Sequence, residues 1–594
     1  MLEQLEHNGV IIPNPPPYRG LAITIEGQPR QLTPKQEEMA LAWAKKQGTP
    51  YVEDPVFISN FMDDFSRALG LDESLALEDV GFGMVIRVVE AEREAKAQLT
   101  REERKAQAAA RKAIREELKE KYGYATVNAN RVELGNYMTE PSGIFMGRGE
   151  HPLRGKWKEG AKKQDVTLNL SPSAPHPEGD WKEIVWQPES LWVARWEDKL
   201  SGKLKYVWLS DTAPVKQNRE AQKFDKAREL SGSLKDVRAH IREGLKDPKP
   251  RRRMIAMASY LIDVLCLRVG DEKNADEADT VGATTLRPEH VTLHEGGRAE
   301  FEFLGKDSVP WHKELKLPRA VYNTLAELIR DARPSSSAGT DDEFHPTKDL
   351  PQIFPDIHSR NVNRFLSRIH KGLTAKVFRT HHATAAVQKS LAAAKIKASD
   401  PEYKKWHAAV MANLEAAMLC NHTKKYNGNW ETTSQRYQER LEKAEARREK
   451  YVAQLAEREE ALQILLVEAS AQRSIAQANV EKVDPSKEKQ LERAKTRYEK
   501  VVARYKKRVA TAKKRIVTVQ ERIARAEQAM GKIAAQFEVS GYKRTWNLGT
   551  SLKSYIDPRV YYAWGQSVEY DVIEKYYPKT LRRKFAWVQE NGDD

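Results

Sequence analysis

Two strings in the chain carry residue types used in nucleotide chemistry. Residues 276–279 read Asp-Glu-Ala-Asp, the magnesium-holding pattern of certain helicases, and 305–308 read Gly-Lys-Asp-Ser, like the end of a phosphate-binding loop. Neither has the context it needs. A phosphate-binding loop has a glycine five positions before its Gly-Lys pair and runs on into a helix, whereas Glu300 stands there and Pro310 follows. The sequence therefore argues against ATP hydrolysis. Two cysteines, Cys266 and Cys420, are too few for a disulfide framework or a thiolate zinc site, and no His/Cys cluster has metal-ligand spacing. The adjacent His381 and His382 read as surface or capping residues. A metal-free phosphoryl transfer makes other demands. Arginines must take charge from the non-bridging oxygens, a lysine must protonate the leaving oxygen, and a tyrosine suits the nucleophile because its phosphoester is stable yet readily displaced. With 100 Lys and Arg and 21 Tyr in the chain, composition cannot say which residues serve.

The elements that would position such residues are more legible. A chain of 594 residues is expected to form two to four structural units. Residues 88–122 are rich in Ala, Glu, Lys and Arg, with a capping box from Thr100 to Glu103 and a stop at Gly123; they predict long charged helices. Between 140 and 215, Pro, Gly and Trp become frequent, and alternating runs such as SLWVARWED and LKYVWLS predict strands. RRRMIAMASYLIDVLCLRVG predicts an amphipathic helix ending at Gly270. AEFEFLGKDSVPWHKEL predicts a hairpin with Phe301 and Phe303 alternating against Glu300 and Glu302, and 333–347 predict a loop. Two seven-residue series follow. One runs Leu491, Tyr498, Tyr505, Ala512, Val519, Ala526 and the other Val502, Val509, Ile516, Ile523, a coiled-coil seam; an earlier helix through Tyr451, Leu455, Leu462 and Leu466 would pair with it across a break near Pro485. Lys506, Lys507, Arg508, Lys513, Lys514 and Arg515 read first as a solvated face of that pair. The expected units are 1–220, 221–430, 431–540 and 541–594.

Net charge is +15, which fits a phosphate-backbone binder only if the excess is segregated. Mean hydropathy is −0.70. No run approaches the roughly 18 apolar residues of a membrane helix, and the opening MLEQLEHNGV lacks the pattern of a signal peptide. A protein in a reducing, cytoplasmic compartment is expected.

The runs LRVGDEKNADEADTVGATTLRPEHV, FEFLGKDS, GLTAKVFRTHHA, LCNH, LGTSLKSYIDPR and KFAWV, taken in that order, resemble the signature segments of eukaryotic-type IB DNA topoisomerases. The likeness extends upstream to LEHNGVIIPNPPPY, GIFMGRGEHP and WKEIVWQPESLWVARW, so it covers nearly the whole chain. It implies a mostly helical α+β fold: a bilobed DNA clamp with a catalytic domain of the tyrosine recombinase and topoisomerase IB type and a protruding antiparallel coiled-coil linker. It implies that Arg268 and Arg379 bind the non-bridging oxygens of the scissile phosphate, with His422 donating a third hydrogen bond. Lys306 would protonate the leaving 5′-oxygen, and Tyr555 would form a 3′-phosphotyrosyl bond. Arg148, Asp307 and Thr550 match positions that contact DNA beside the break. Residues 1–220 would cap duplex DNA, the linker would brake rotation, and supercoils of either sign would relax without ATP, metal or other cofactor. The family clamp implies a monomer.

The chain departs from the family in three places. It begins almost at the core, without the long basic N-terminal extension of eukaryotic members. That suggests a compact, archaeal-like version acting on chromosomal DNA in the cytoplasm, or in the nucleus if the source is eukaryotic. Met146 stands where Arg is usual near the minor groove. Ser554 replaces an Asn where camptothecin-type poisons stack, which puts drug sensitivity in question. Two other readings compete. A tyrosine recombinase uses a similar residue set but lacks the long coiled coil between His and Tyr. An inactive architectural clamp would use the basic faces alone.

Overall fold

The computed structural model describes residues 2–271, 279–334, 350–424 and 428–590; of the sequence features above, the first three residues of the Asp-Glu-Ala-Asp string and most of the 333–347 loop lie outside the described residues. The fold is mostly helical α+β. Among the described residues no helix is long and apolar enough to cross a membrane. The chain divides into two compact units, Met1–His382 with Pro578–Asp594, and Ala383–Tyr577.

The first unit holds several small sheets among helices. Leu5–His7 pairs antiparallel with Tyr124–Val127, which turns back into Asn130–Glu133. The tryptophan-rich stretch forms a four-stranded sheet in the order Glu183–Val185, Val166–Asn169, Trp192–Glu197, Leu204–Trp208, with only the first pair parallel. The charged stretch expected over 88–122 is two helices, Gly83–Gln98 and Arg101–Tyr122. The second is capped as the sequence requires: the Glu103 amide donates to the Thr100 hydroxyl and the Thr100 amide to the Glu103 carboxylate.

The predicted hairpin is present as Arg298–Gly305 and Val309–Lys316, with Val291–His294 as its third strand. Phe301 and Phe303 enter a core that also takes Leu261, Ile262 and Phe378, so alternation along the strand fixes which face the hairpin buries. The helix expected to reach Gly270 stops earlier, at Pro250–Leu265. Cys266 caps it in the left-handed conformation, φ 53°, which breaks the helical hydrogen-bond ladder. Periodicity alone did not reveal this, because Leu267 and Val269 continue the apolar pattern after the helix has ended.

In the second unit, Trp430–Glu481 and Glu488–Tyr542, 52 and 55 residues long, lie antiparallel along each other. Trp430 stacks on Phe537, and Arg448 pairs with Glu527 at 3.0 Å. Further out, the Tyr505 hydroxyl donates to Glu468 at 2.6 Å. Both predicted seven-residue series form the seam: their members are partly or fully buried, while Lys506, Lys507, Arg508, Lys513, Lys514 and Arg515 are exposed.

Candidate active site

Three of the expected residues lie in the first unit. Arg268 is half-buried on the extended stretch after Cys266, and backbone pairing with segment 281–284 holds it there. The Ala283 amide donates to the Arg268 carbonyl at 2.9 Å and the Thr284 amide to the Val269 carbonyl at 2.7 Å. The Thr284 hydroxyl adds a bond to the Gly270 carbonyl at 2.6 Å. This pairing requires two glycines. Gly270 sits at φ +81°, and a Cβ on Gly282 would stand 2.5 Å from the Gly270 Cα. The same segment reaches the hairpin, since the Val281 amide donates to the Leu304 carbonyl at 2.8 Å, two residues before Lys306. One short segment that runs into the 3-10 turn Ala283–Thr285 thus ties the Arg268 backbone to the turn that carries Lys306.

Arg379, on the helix Ala375–Ala393, is buried, and its guanidinium donates to the carbonyl of Cys266, two residues before Arg268. The helix is locked one turn further on. His382 contacts the Asp263 carboxylate at 2.7 Å, and Arg238 grips the same carboxylate at 2.7 and 3.1 Å. Burial works to raise the Asp263 carboxyl, but the hydrogen bonds from His382 and Arg238 outweigh it and hold the group below its ordinary range. The histidines read as surface or capping residues are therefore packing residues. His381 contacts the Ala227 carbonyl at 3.1 Å, and burial, with His382 beside it, lowers its pKa. An isolated His-His pair gives no hint of a carboxylate 119 residues earlier.

Lys306 is exposed at the hairpin turn. It lines a cavity of about 650 Å³ with Arg148, Met146, His151, Thr280 and Ser308. The Ser308 hydroxyl donates to the Arg148 carbonyl at 3.4 Å, so two of the expected DNA-contacting neighbourhoods share one opening. The side chain of Asp307 lies outside the described residues.

His422 and Tyr555 lie in the second unit and come together. Their rings are 5.1 Å apart between centroids and inclined at 38°, and both residues are buried. The backbone explains this pairing. The helix Glu402–Leu419 ends at Cys420, Asn421 turns the chain with φ 51°, and the His422 amide donates to the Ala417 carbonyl at 2.8 Å. Residues 422–424 then run antiparallel to 545–547. The Asn547 amide donates to the His422 carbonyl at 2.6 Å, Thr423 bridges Trp546, and the Lys424 amide donates to the Thr545 carbonyl at 2.9 Å. Asn547 is also the N-cap of Leu548–Ser554, the short helix whose C-cap is Tyr555. Thr550 and Ser554, both half-buried, ride on that helix.

Sequence reasoning missed the residues that fix the Tyr555 helix. Asn413, fully buried, donates to the Leu548 carbonyl at 3.0 Å and the Tyr576 hydroxyl at 2.7 Å, and accepts from the Ser551 hydroxyl at 2.7 Å. Thr384 donates to the Tyr555 carbonyl at 3.3 Å and accepts from the Asp557 amide at 3.1 Å. The one signal in the sequence was a lone Asn within the apolar run AAVMANLEAAM, where an amide must find partners.

Three family models match in sequence order. The model for eukaryotic DNA topoisomerase I, DNA binding fragment, covers residues 2–209, and that for the catalytic core covers 212–455. The C-terminal topoisomerase domain covers 527–594. A curated protein of Arabidopsis thaliana, DNA topoisomerase 1 beta, is 32% identical over 99% of this chain, which spans 58% of that relative's length. DNA topoisomerase 1 of Candidozyma auris is 32% identical over the whole chain and 82% of its own length. The Homo sapiens protein of that name is 30% identical over 99% of the chain and 71% of its length. These matches place the chain in the eukaryotic DNA topoisomerase I family.

Proposed function

We propose that the chain relaxes supercoiled duplex DNA by cutting one strand, letting the helix swivel and resealing it. The Tyr555 oxygen attacks the scissile phosphorus, the bond to the 5′-oxygen breaks, and a 3′-phosphotyrosyl ester forms. The phenolic proton leaves to solvent, and Lys306 supplies a proton to the departing 5′-oxygen. Arg268, Arg379 and His422 take the charge that builds on the non-bridging oxygens, and such stabilisation usually contributes most to the rate of phosphoryl transfer. Attack by the 5′-hydroxyl reverses each step and restores Tyr555. Neither ATP nor a metal ion enters this scheme, because torque drives the swivel and arginine supplies the positive charge. All five residues are on one chain, so a single copy suffices for one cleavage.

In this reading 1–220 form the cap of a DNA clamp, 221–430 the core, 431–540 a coiled-coil linker that brakes rotation, and 541–594 the domain of the nucleophile. Arg148, Asp307 and Thr550 contact DNA beside the break, and Ser554 lowers sensitivity to camptothecin-type poisons. The protein works on chromosomal DNA. The observation that carries the reading is the burial of Tyr555 against His422, with both residues suspended from one stretch of backbone pairing. The test is relaxation of positively and negatively supercoiled plasmid in EDTA without ATP, wild type beside Tyr555→Phe. Relaxation of both signs by the wild type alone supports it. No relaxation by either protein leaves an architectural clamp, and activity in both means another nucleophile.

A further inference from the structure

The helix Trp430–Glu481 changes character along its length. Eleven of residues 441–460 are charged, but residues 461–480 hold only Glu468 and Arg473. Both of these are engaged by the antiparallel partner helix. Glu468 accepts from the Tyr505 hydroxyl and from Arg508 at 3.3 Å, and Arg473 donates to the Tyr498 hydroxyl at 3.2 Å. The face turned away from the seam is mostly apolar and exposed, with Glu468 at its edge: Ile464 is 64%, Val467 71% and Ile475 53% accessible. Scattered exposed aliphatics are ordinary. Three branched ones within twelve residues on one helical face are not, because positions three, four and seven apart stack into a single stripe. With Ala471 between them and Ala478 beyond, that stripe lies roughly opposite the half-buried seam through Leu462, Leu465, Ala469 and Ala476.

The stripe is symmetric about Ala471. Val467 and Ile475 lie four residues to either side, and Ile464 and Ala478 seven. Eleven residues out stand Glu460 and Lys482, of opposite charge, both exposed and neither with an ion pair among the described residues. A second copy laid antiparallel with the two Ala471 residues facing would set Val467 against Ile475 and Ile464 against Ala478. Glu460 would then meet Lys482 at both ends. The small residue at the centre lets the backbones approach, and a two-fold arrangement uses every contact twice. We infer that this stripe is a self-association surface, through which two copies of the chain pair along the outer faces of their long helices.

The apolar part of the stripe, from Ile464 to Ala478, is about 21 Å long at 1.5 Å per residue. One helical face of that length is smaller than a standard interface of roughly 800 Å² per partner. Association is therefore weak and depends on concentration.

The test uses the full chain in sedimentation velocity at concentrations up to about 0.1 mM. The wild type should shift from one chain towards two as concentration rises. Val467→Glu places a charge inside the stripe at an exposed helical position, and should hold the protein as a single chain with unchanged helix content by circular dichroism. Glu460→Lys should weaken pairing at least several-fold, and adding Lys482→Glu should restore it. A wild type that stays a single chain throughout overturns the inference. So does pairing that survives Val467→Glu, or a charge reversal that the second reversal does not rescue.

Discussion

The His422 carbonyl accepts the Asn547 amide at 2.6 Å, so the residue that faces Tyr555 also anchors the N-cap of the helix that carries it. Ring and backbone are therefore separable contributions of one residue. His422→Ala removes the ring and keeps the backbone bond. It should slow cleavage about 10²–10³-fold, the usual cost of losing one donor to a developing oxyanion. His422→Gln, which keeps a donor, should lose less. Single-turnover cleavage of a nicked oligonucleotide reads both, and equal rates for the two variants would rule out a donor role.

Gly282→Ala tests the splice between Arg268 and the Lys306 hairpin. The added Cβ meets Gly270 backbone at 2.5 and 2.6 Å, and backbone cannot swing aside as a long side chain can. A stability loss of about 1–3 kcal/mol is expected, with slower cleavage well below the melting temperature because Arg268 moves with the backbone that pairs with 281–284. Denaturant unfolding and cleavage rate, measured on the same preparation, check the two effects separately.

Asn413→Leu leaves the Tyr576 hydroxyl without its amide donor, while the Ser551 hydroxyl still reaches the Leu548 carbonyl at 3.2 Å. An uncompensated group costs about 1–3 kcal/mol. The melting temperature should fall, and DNA binding should suffer less than cleavage. A melting temperature equal to wild type would contradict the role given to this amide.

Acid should weaken the first unit through His7. Its Nε2 lies 3.0 Å from the Asn169 carbonyl, while its Nδ1 accepts from the Gly9 amide at 3.1 Å, an arrangement that only a neutral ring can make. Burial lowers its pKa to about 4, against a smaller opposing effect of the Asn169 bond. A histidine whose folded value lies below its unfolded 6.5 binds fewer protons when folded. Its contribution is whole above about pH 6.5 and is lost as pH falls towards about 4. At about 1.4 kcal/mol per unit, the loss is of the order of 3 kcal/mol. Unfolding free energy measured from about pH 7.5 to about 4.5 should drop, and His7→Gln should flatten that slope.

Local features were legible in the sequence, and long-range ones were not. The Thr100 cap, the Phe301 and Phe303 alternation and the seven-residue seam each repeat within a few residues, which is the distance over which periodicity speaks. The end of the helix at Leu265 was not legible, because the apolar pattern runs on through Leu267 and Val269 while the backbone leaves the helix. Nor were the links from Asp263 to His382, from Asn413 to Leu548 and from Thr384 to Asp557, which join residues more than a hundred positions apart. The five expected site residues were named from family resemblance alone. The structure adds how two of them are held together and what fastens the other three.

The pairing of 422–424 with 545–547 has a consequence for how the chain can vary. The long helices leave and re-enter the body at two points already stitched together, so the excursion between them is a closed appendage. Closing a longer loop costs only about 0.6 kcal/mol per doubling. Whole turns could be added to or trimmed from its far end in matched pairs while the stitch stays in place. Its length can thus change without disturbing the stitched backbone that sets His422 and the helix ending at Tyr555.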